Sequence, residues 1–189
     1  MPSAPRVYHP FSRWLHWLVF ILIAIGLPIG LIMVERDFDA TTDLLYTLHW
    51  SIGLTVLALM TLRLAARFLF PAPKAAAVLT PAQKTVSHVV HIGLYLSIFV
   101  VAILGWLGKS AYGASAEGIS VFYLFHVPVL LAKDEELAET LLTAHGFAVW
   151  AFLGLFALHL AGALYHAFVA RDGVVGRMGI GRHVAEPEV

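Results

Sequence analysis

Apolar positions in this chain do not alternate with polar ones. They run together in four long blocks. Residues 14–34 form the first, with His16 as the one ionisable interruption. Residues 44–70 form the second, with His49 near its start and Arg63 and Arg67 near its end. Residues 86–107 form the third, opening with His88 and His91, and residues 141–170 the fourth, holding His145, His159 and His166. Each block reaches the roughly 20 apolar residues that a helix needs to cross a bilayer. Pro28 inside the first block predicts a kink, which membrane helices tolerate. That block is too long and too late for a signal-peptide core, and no small-residue cleavage site closes it. The pattern predicts an all-α fold: a four-helix transmembrane bundle in a single domain over residues 1–189.

The connections fit this reading. Residues 35–43 make a short acidic loop and residues 71–81 a Pro/Ala linker. Residues 108–140 are longer. Their aromatic part, 119–131, reads equally as an interfacial segment or an ordinary loop, and a charged run follows at 133–139.

Composition narrows the chemistry. Hydrophobic residues make up 60% of the 189 and charged ones 13%, about half the roughly 25% typical of soluble domains. Mean hydropathy is +0.83. Disorder, fibres and most soluble enzymes are excluded, and a formal net charge of zero argues against a nucleic-acid partner. With no cysteine, disulfides, iron–sulfur clusters and thiolate chemistry are excluded. Ten histidines remain as the main candidates for binding a transition metal.

Zero net charge conceals an asymmetry. With the N-terminus, the second loop and the C-terminus on one side, that side holds nine of the twelve basic residues: Arg6, Arg13, Arg63, Arg67, Lys74, Lys84, Arg171, Arg177 and Arg182. The other side holds Arg36, Lys109 and Lys133, together with nine of the twelve acids. Basic residues concentrate on the cytoplasmic side of membrane proteins. Both termini are therefore expected in the cytoplasm, with the protein a multi-pass resident of the inner membrane.

Ionisable groups inside a bilayer are costly and usually mark function. His145 and His159 lie fourteen residues apart, ~21 Å along a helix and nearly four whole turns, so both face the same way. His16 near the inner end of the first helix matches the depth of His159; His49 near the outer end of the second matches His145. Two imidazoles facing each other across a bundle suit six-coordinate haem iron. Zinc would want three or four ligands at one depth. His166 shares the face of His159 and competes with it, but pairing His145 with His166 separates the sites by ~31 Å, close to the full hydrocarbon thickness. His159 is the expected ligand. Gly53, Gly146 and Gly162 lie near these histidines, where small residues admit either a flat macrocycle or a neighbouring helix.

His88, His91 and His166 gather near the inner interface. As titratable groups beside the inner haem, His91 and His166 suit hydrogen bonding to a quinone carbonyl and proton delivery; the plainer reading is histidines at headgroup level. His9, His126 and His183 fall in tails or loops and receive no role. On the outer side Lys109 directly follows the third apolar block, where an interface lysine extends its head to water.

Four segments together resemble bacterial cytochrome b561 proteins: SRWLHWLVF at 12–20, LHWSIGLTVLALMTLRLAARF at 48–68, HVVHIGLYLSIFVVAILGWL at 88–107, and AHGFAVWAFLGLFALHLAGALYHAFVARDGVVGRM at 144–178. The resemblance spans residues 8–178. It implies a four-helix membrane bundle holding two haem b groups, with His16 and His159 on the inner iron and His49 and His145 on the outer. It also implies quinone-linked roles for His91 and His166. The best-understood activity of that family is superoxide oxidation, with the electrons passing through the haems to ubiquinone; for that anionic substrate Lys109 is the best basic residue on the outer side to attract it. Expected partners are membrane lipid, a quinone, and superoxide or a redox protein. The alternative is a cytochrome b subunit that links a partner dehydrogenase or hydrogenase to the quinone pool. Its docking would use the acidic outer face, which disfavours the approach of an anion.

Overall fold

The computed structural model describes residues 7–74, 79–113 and 117–179. Arg6, Arg182 and His183 of the preceding reading lie outside them. Four helices dominate: α1 (Pro10–Met33), α2 (Ala40–Leu69), α3 (Pro81–Tyr112) and α4 (Glu135–Leu164). A π-helical turn, Tyr165–Ala170, continues α4, and a short 3-10 turn, Val175–Met178, follows. All four are long and apolar enough to cross a membrane. Pro28 lies inside α1, which runs unbroken from Pro10 to Met33.

The helices start before the apolar runs because their caps are polar. The Asp39 carboxylate accepts from Thr42 N at 2.7 Å and opens α2. Those Thr42 hydrogen bonds hold Asp39 below the ordinary carboxylate range. Thr80 and Gln83 form a reciprocal capping box at the start of α3. Asp134 caps α4 by accepting from Leu137 N at 3.0 Å. Each satisfies donors that a helix terminus leaves unpaired.

The most extensive packing joins α3 to α4 and α1 to α2, with α2 against α3 linking the two pairs. Val19, Ile52, Val56 and Met60 form the buried core, with Tyr95, Ile98 and Phe99 of α3 packed on it. Elsewhere large apolar side chains such as Trp14, Leu96, Trp150 and Phe168 point outward. Lipid accepts that surface as water would not.

The first and last described segments meet at one end of the bundle. Tyr8 N donates to the Arg177 carbonyl at 3.3 Å, Trp17 Nε1 to the Met178 carbonyl at 3.0 Å, and Arg177 Nη1 to the Lys74 carbonyl at 2.6 Å. We call this the termini end.

At the opposite end the aromatic segment is more regular than an ordinary loop. It contains an antiparallel hairpin, β1 (Ile119–Val121) and β2 (Phe125–Val127). Its turn carries Phe122 and Tyr123 at φ 51° and 59°, a conformation usually given to Asn-Gly. The strain is offset by anchoring. Ser51 Oγ accepts from Phe122 N at 2.9 Å, and Trp50 Nε1 donates to the Ser120 carbonyl at 2.8 Å. Trp106 Nε1 donates to the Pro128 carbonyl at 3.2 Å. Ile119 and Val121 are buried, so the hairpin closes this end over α2.

Candidate functional site

Two histidine pairs face each other across the bundle. His49 of α2 and His145 of α4 have ring centroids 6.2 Å apart. His16 of α1 and His159 of α4 also have centroids 6.2 Å apart. An imidazole nitrogen sits about 2 Å from a bound metal and roughly 1 Å from its own ring centre. Two imidazoles on opposite sides of one metal therefore have centroids about 6 Å apart. Both pairs match that spacing.

The hairpin-end pair is also set in tautomer. His49 Nδ1 lies 3.0 Å from the Gly26 carbonyl, and His145 Nδ1 lies 2.8 Å from the Val101 carbonyl. A carbonyl only accepts, so each Nδ1 carries the proton and each Nε2 keeps its lone pair for a ligand. Glycines make this possible. A Cβ at Gly30 would stand 2.6 Å from His49 Cε1, and one at Gly105 would stand 3.2 Å from His145 Cε1. At Gly26 a Cβ would stand 2.8 Å from Ile52 Cγ2. Gly26 and Gly30 form a G-x-x-x-G stripe that brings α2 close to α1 and leaves room for the ring. The sequence reading missed Gly26, Gly30 and Gly105; the stripe is the signal that would have found the first two. It named Gly53, Gly146 and Gly162 instead. A Cβ at any of these three meets no atom within 4 Å. No neighbouring helix packs there, and the space beside His49, His145 and His159 is open to a flat group.

At the termini end the rings form a larger group. The His91 ring centroid lies 5.1 Å from that of His159. His91 Nδ1 contacts the Ser87 carbonyl at 2.5 Å and Ser87 Oγ at 3.2 Å. Arg63 exerts its charge on His16, His91 and His159. His166 is held away from this cluster. The π-helical turn places it 2.6 Å from Asp172 Oδ2, and its ring contacts Tyr165. Between the two pairs, Phe20 stacks on Phe156 with centroids 6.3 Å apart, and Phe156 stacks on Phe152 at 5.8 Å.

Among the described residues, no group of three or more His, Asp or Glu side chains could hold a metal ion. The arrangement is two opposed pairs, each spaced as two imidazoles would be if they held a haem iron between them.

The sequence profile of the family described as "Prokaryotic cytochrome b561" matches residues 7–181. The chain belongs to this family. It is similar to "Cytochrome b561 homolog 2" of Escherichia coli, 30% identical over 177 residues that cover 93% of each chain. It also resembles "Probable superoxide oxidase CybB" of Yersinia pestis, 25% identical over 92% of this chain and 96% of that one. "Cytochrome b562" of Cereibacter sphaeroides is 28% identical over 87% of this chain and 89% of its own. The molecule is a bacterial membrane protein of a haem b electron-transfer family, as the resemblance in the sequence implied.

Lys109 of this cytochrome sits at the hairpin end, over Trp50, the residue that follows His49. Its Nζ lies 4.4 Å from the Trp50 ring centre and 5.7 Å from that of Tyr112, and donates to the Gly113 carbonyl at 3.3 Å. Arg36 pairs with Asp39 at 3.5 Å and Lys133 with Glu135 at 3.0 Å. Of the three basic residues assigned to this side, Lys109 alone forms no carboxylate ion pair among the described residues. His126 of the hairpin lies 3.7 Å from Glu117.

Proposed function

We propose that this cytochrome carries two haem b groups and moves electrons through them from superoxide at the hairpin end to ubiquinone at the termini end. His49 and His145 hold the outer iron; His16 and His159 hold the inner one. The single observation that supports this most is the matched 6.2 Å separation of both ring pairs. Bound haem b supplies reversible one-electron chemistry at its iron. The chain supplies the rest. The Gly26 and Val101 carbonyls fix the outer imidazoles. The hairpin covers the outer pair through Trp50 and Ser51. His91 and His166 hydrogen-bond the quinone and deliver protons. Each superoxide anion gives one electron and leaves as dioxygen. Ubiquinone takes two electrons and two protons, so two superoxide anions reduce one quinone. The termini end faces the cytoplasm of the inner membrane, a reading supported by the nine basic residues that the sequence count assigns to that side.

The test is stopped-flow mixing of the purified, haem-loaded protein with superoxide and ubiquinone. Haem and quinone reduction should outpace spontaneous dismutation; absence of both removes superoxide as the donor.

A second reading has its own support. The hairpin end carries an open cleft of about 670 Å³, lined by Tyr112, Lys133, Glu135, Glu139, Leu142 and Thr143. Its one basic residue is already paired. An acidic cleft suits a basic redox protein better than an anion, and a partner dehydrogenase or hydrogenase then becomes the electron donor.

A further inference from the structure

Arg63 lies on α2 toward the termini end, where its charge falls on His16, His91 and His159. Its Nε donates to Tyr95 Oη at 3.0 Å, and its guanidinium carbon stands 5.8 Å from the centre of the Tyr95 ring. One arm of the remaining fork is unmatched. Nη1 is buried with no hydrogen-bond partner, the one such side-chain atom among the described residues. No carboxylate of those residues forms an ion pair with it. A buried cationic donor left unpaired is costly, and native structures rarely keep one without a partner. The missing partner is an anion or strong acceptor that the described residues do not supply. A guanidinium matches a planar carboxylate best, through parallel N–H donors. Haem b brings such carboxylates on its two propionates.

We propose that Arg63, braced by Tyr95, anchors a propionate of the haem held between His16 and His159. This rests on the assignment of that pair as haem ligands. Tyr95 and His91 lie four residues apart, on the same face of α3. Tyr95 therefore orients the guanidinium toward the histidine cluster. The consequence is electrostatic. Reduction adds one negative charge to the haem, and a buried cation beside it favours the reduced form. Arg63 also offsets the propionate's own charge, which otherwise opposes reduction.

The experiment is a spectroscopic redox titration of the purified, haem-loaded protein and of Arg63→Gln, Arg63→Lys and Tyr95→Phe, with His159→Ala as a control. Arg63→Gln should lower the reduced-to-oxidised ratio of one haem about tenfold at fixed potential, a shift of ~59 mV for one electron. The other haem should keep its midpoint. Arg63→Lys should recover most of the shift. Tyr95→Phe, which retains the charge but frees the fork, should move the same haem in the same direction by less. If Arg63→Gln binds no haem, Tyr95→Phe decides: an unmoved midpoint overturns the proposal. Unchanged midpoints in Arg63→Gln with slower quinone reduction also overturn it and assign Arg63 to the quinone. Should His159→Ala remove one haem while Arg63→Gln leaves both midpoints alone, the ligand assignment stands and only the propionate anchor falls.

Discussion

The carboxylate of Asp172 grips His166: Oδ2 lies 2.6 Å from the ring's Nδ1, and both side chains are largely withdrawn from solvent. Two backbone features produce this contact. α4 ends in a π-helical turn over Tyr165–Ala170, and Arg171 then adopts φ 51°, turning the chain back on itself. π-helical turns recur at functional sites because they re-aim side chains. Asp172 Oδ1 accepts from Val174 N at 3.1 Å and is fixed in turn. A carboxylate on Nδ1 leaves Nε2 of His166 to face a substrate.

The first prediction follows. His166→Ala should keep both haems and slow quinone reduction on the order of a hundredfold, the usual worth of a positioned acid–base group. Asp172→Asn should slow it less, by freeing the ring to turn. In both variants haem reduction by superoxide should stay at the wild-type rate, which separates a proton-delivery defect from a damaged fold. Equal quinone rates in all three proteins would make the pair a structural clasp.

The termini-end cluster gives the second prediction. The rings of His16 and His159 face each other, whereas His91 approaches His159 from α3 and His166 is tied to Asp172. His159→Ala should therefore lose one haem and retain the other, read as half the haem per protein by pyridine haemochrome assay. His91→Ala should keep both and slow quinone reduction. Retention of two haems in His159→Ala, with loss of one in His166→Ala, would reassign the inner ligand.

Gly30 carries the third. An alanine there would place its Cβ 2.6 Å from His49 Cε1 and 2.9 Å from Nδ1. The ring must then leave its hydrogen bond to the Gly26 carbonyl. Residues that orient a metal ligand are typically worth 10–100-fold in affinity, so Gly30→Ala should weaken outer haem binding by about that factor. Gly53→Ala, whose Cβ meets no atom of the chain within 4 Å, should leave the helix packing intact. Haem content and α-band amplitude after mild detergent washing would report both, and full retention in Gly30→Ala would contradict the cradle.

What the sequence could and could not reveal divides along physical lines. The four helices were legible because unbroken apolar runs of that length have few other uses. Their ends were not, because Asp39, Thr80 and Asp134 extend them into polar segments through local caps. The opposed histidines were legible from a fourteen-residue spacing that returns to the same helix face. The hairpin was hidden: Phe122 and Tyr123 occupy its turn at positive φ, and only Ser51 and Trp50, some 70 positions away, hold it there. Arg63 read as one basic residue in an orientation count. Its unpaired Nη1 depends on Tyr95, 32 residues on, and on the burial of one face of α2. Such properties arise from tertiary contact, and no local pattern encodes them.

Lys109 supplies the last prediction. On the proposed reading it lies at the end where superoxide gives up its electron, and there Arg36 and Lys133 are paired with carboxylates while its own Nζ rests over Trp50, the neighbour of His49. A cation beside the outer pair raises the encounter rate of an anion, and salt screens that gain. Lys109→Gln should slow haem reduction by superoxide roughly threefold to tenfold at low ionic strength, and Lys109→Arg should restore most of it. The gap between wild type and Lys109→Gln should close as salt rises, since screening removes what the substitution removes. Haem content and quinone kinetics with a chemical reductant should be unaltered. The opposite pattern is equally specific: a rate independent of both salt and Lys109, with loss of thermal stability in Lys109→Gln, would mean that the lysine braces Trp50 and plays no part in gathering the substrate.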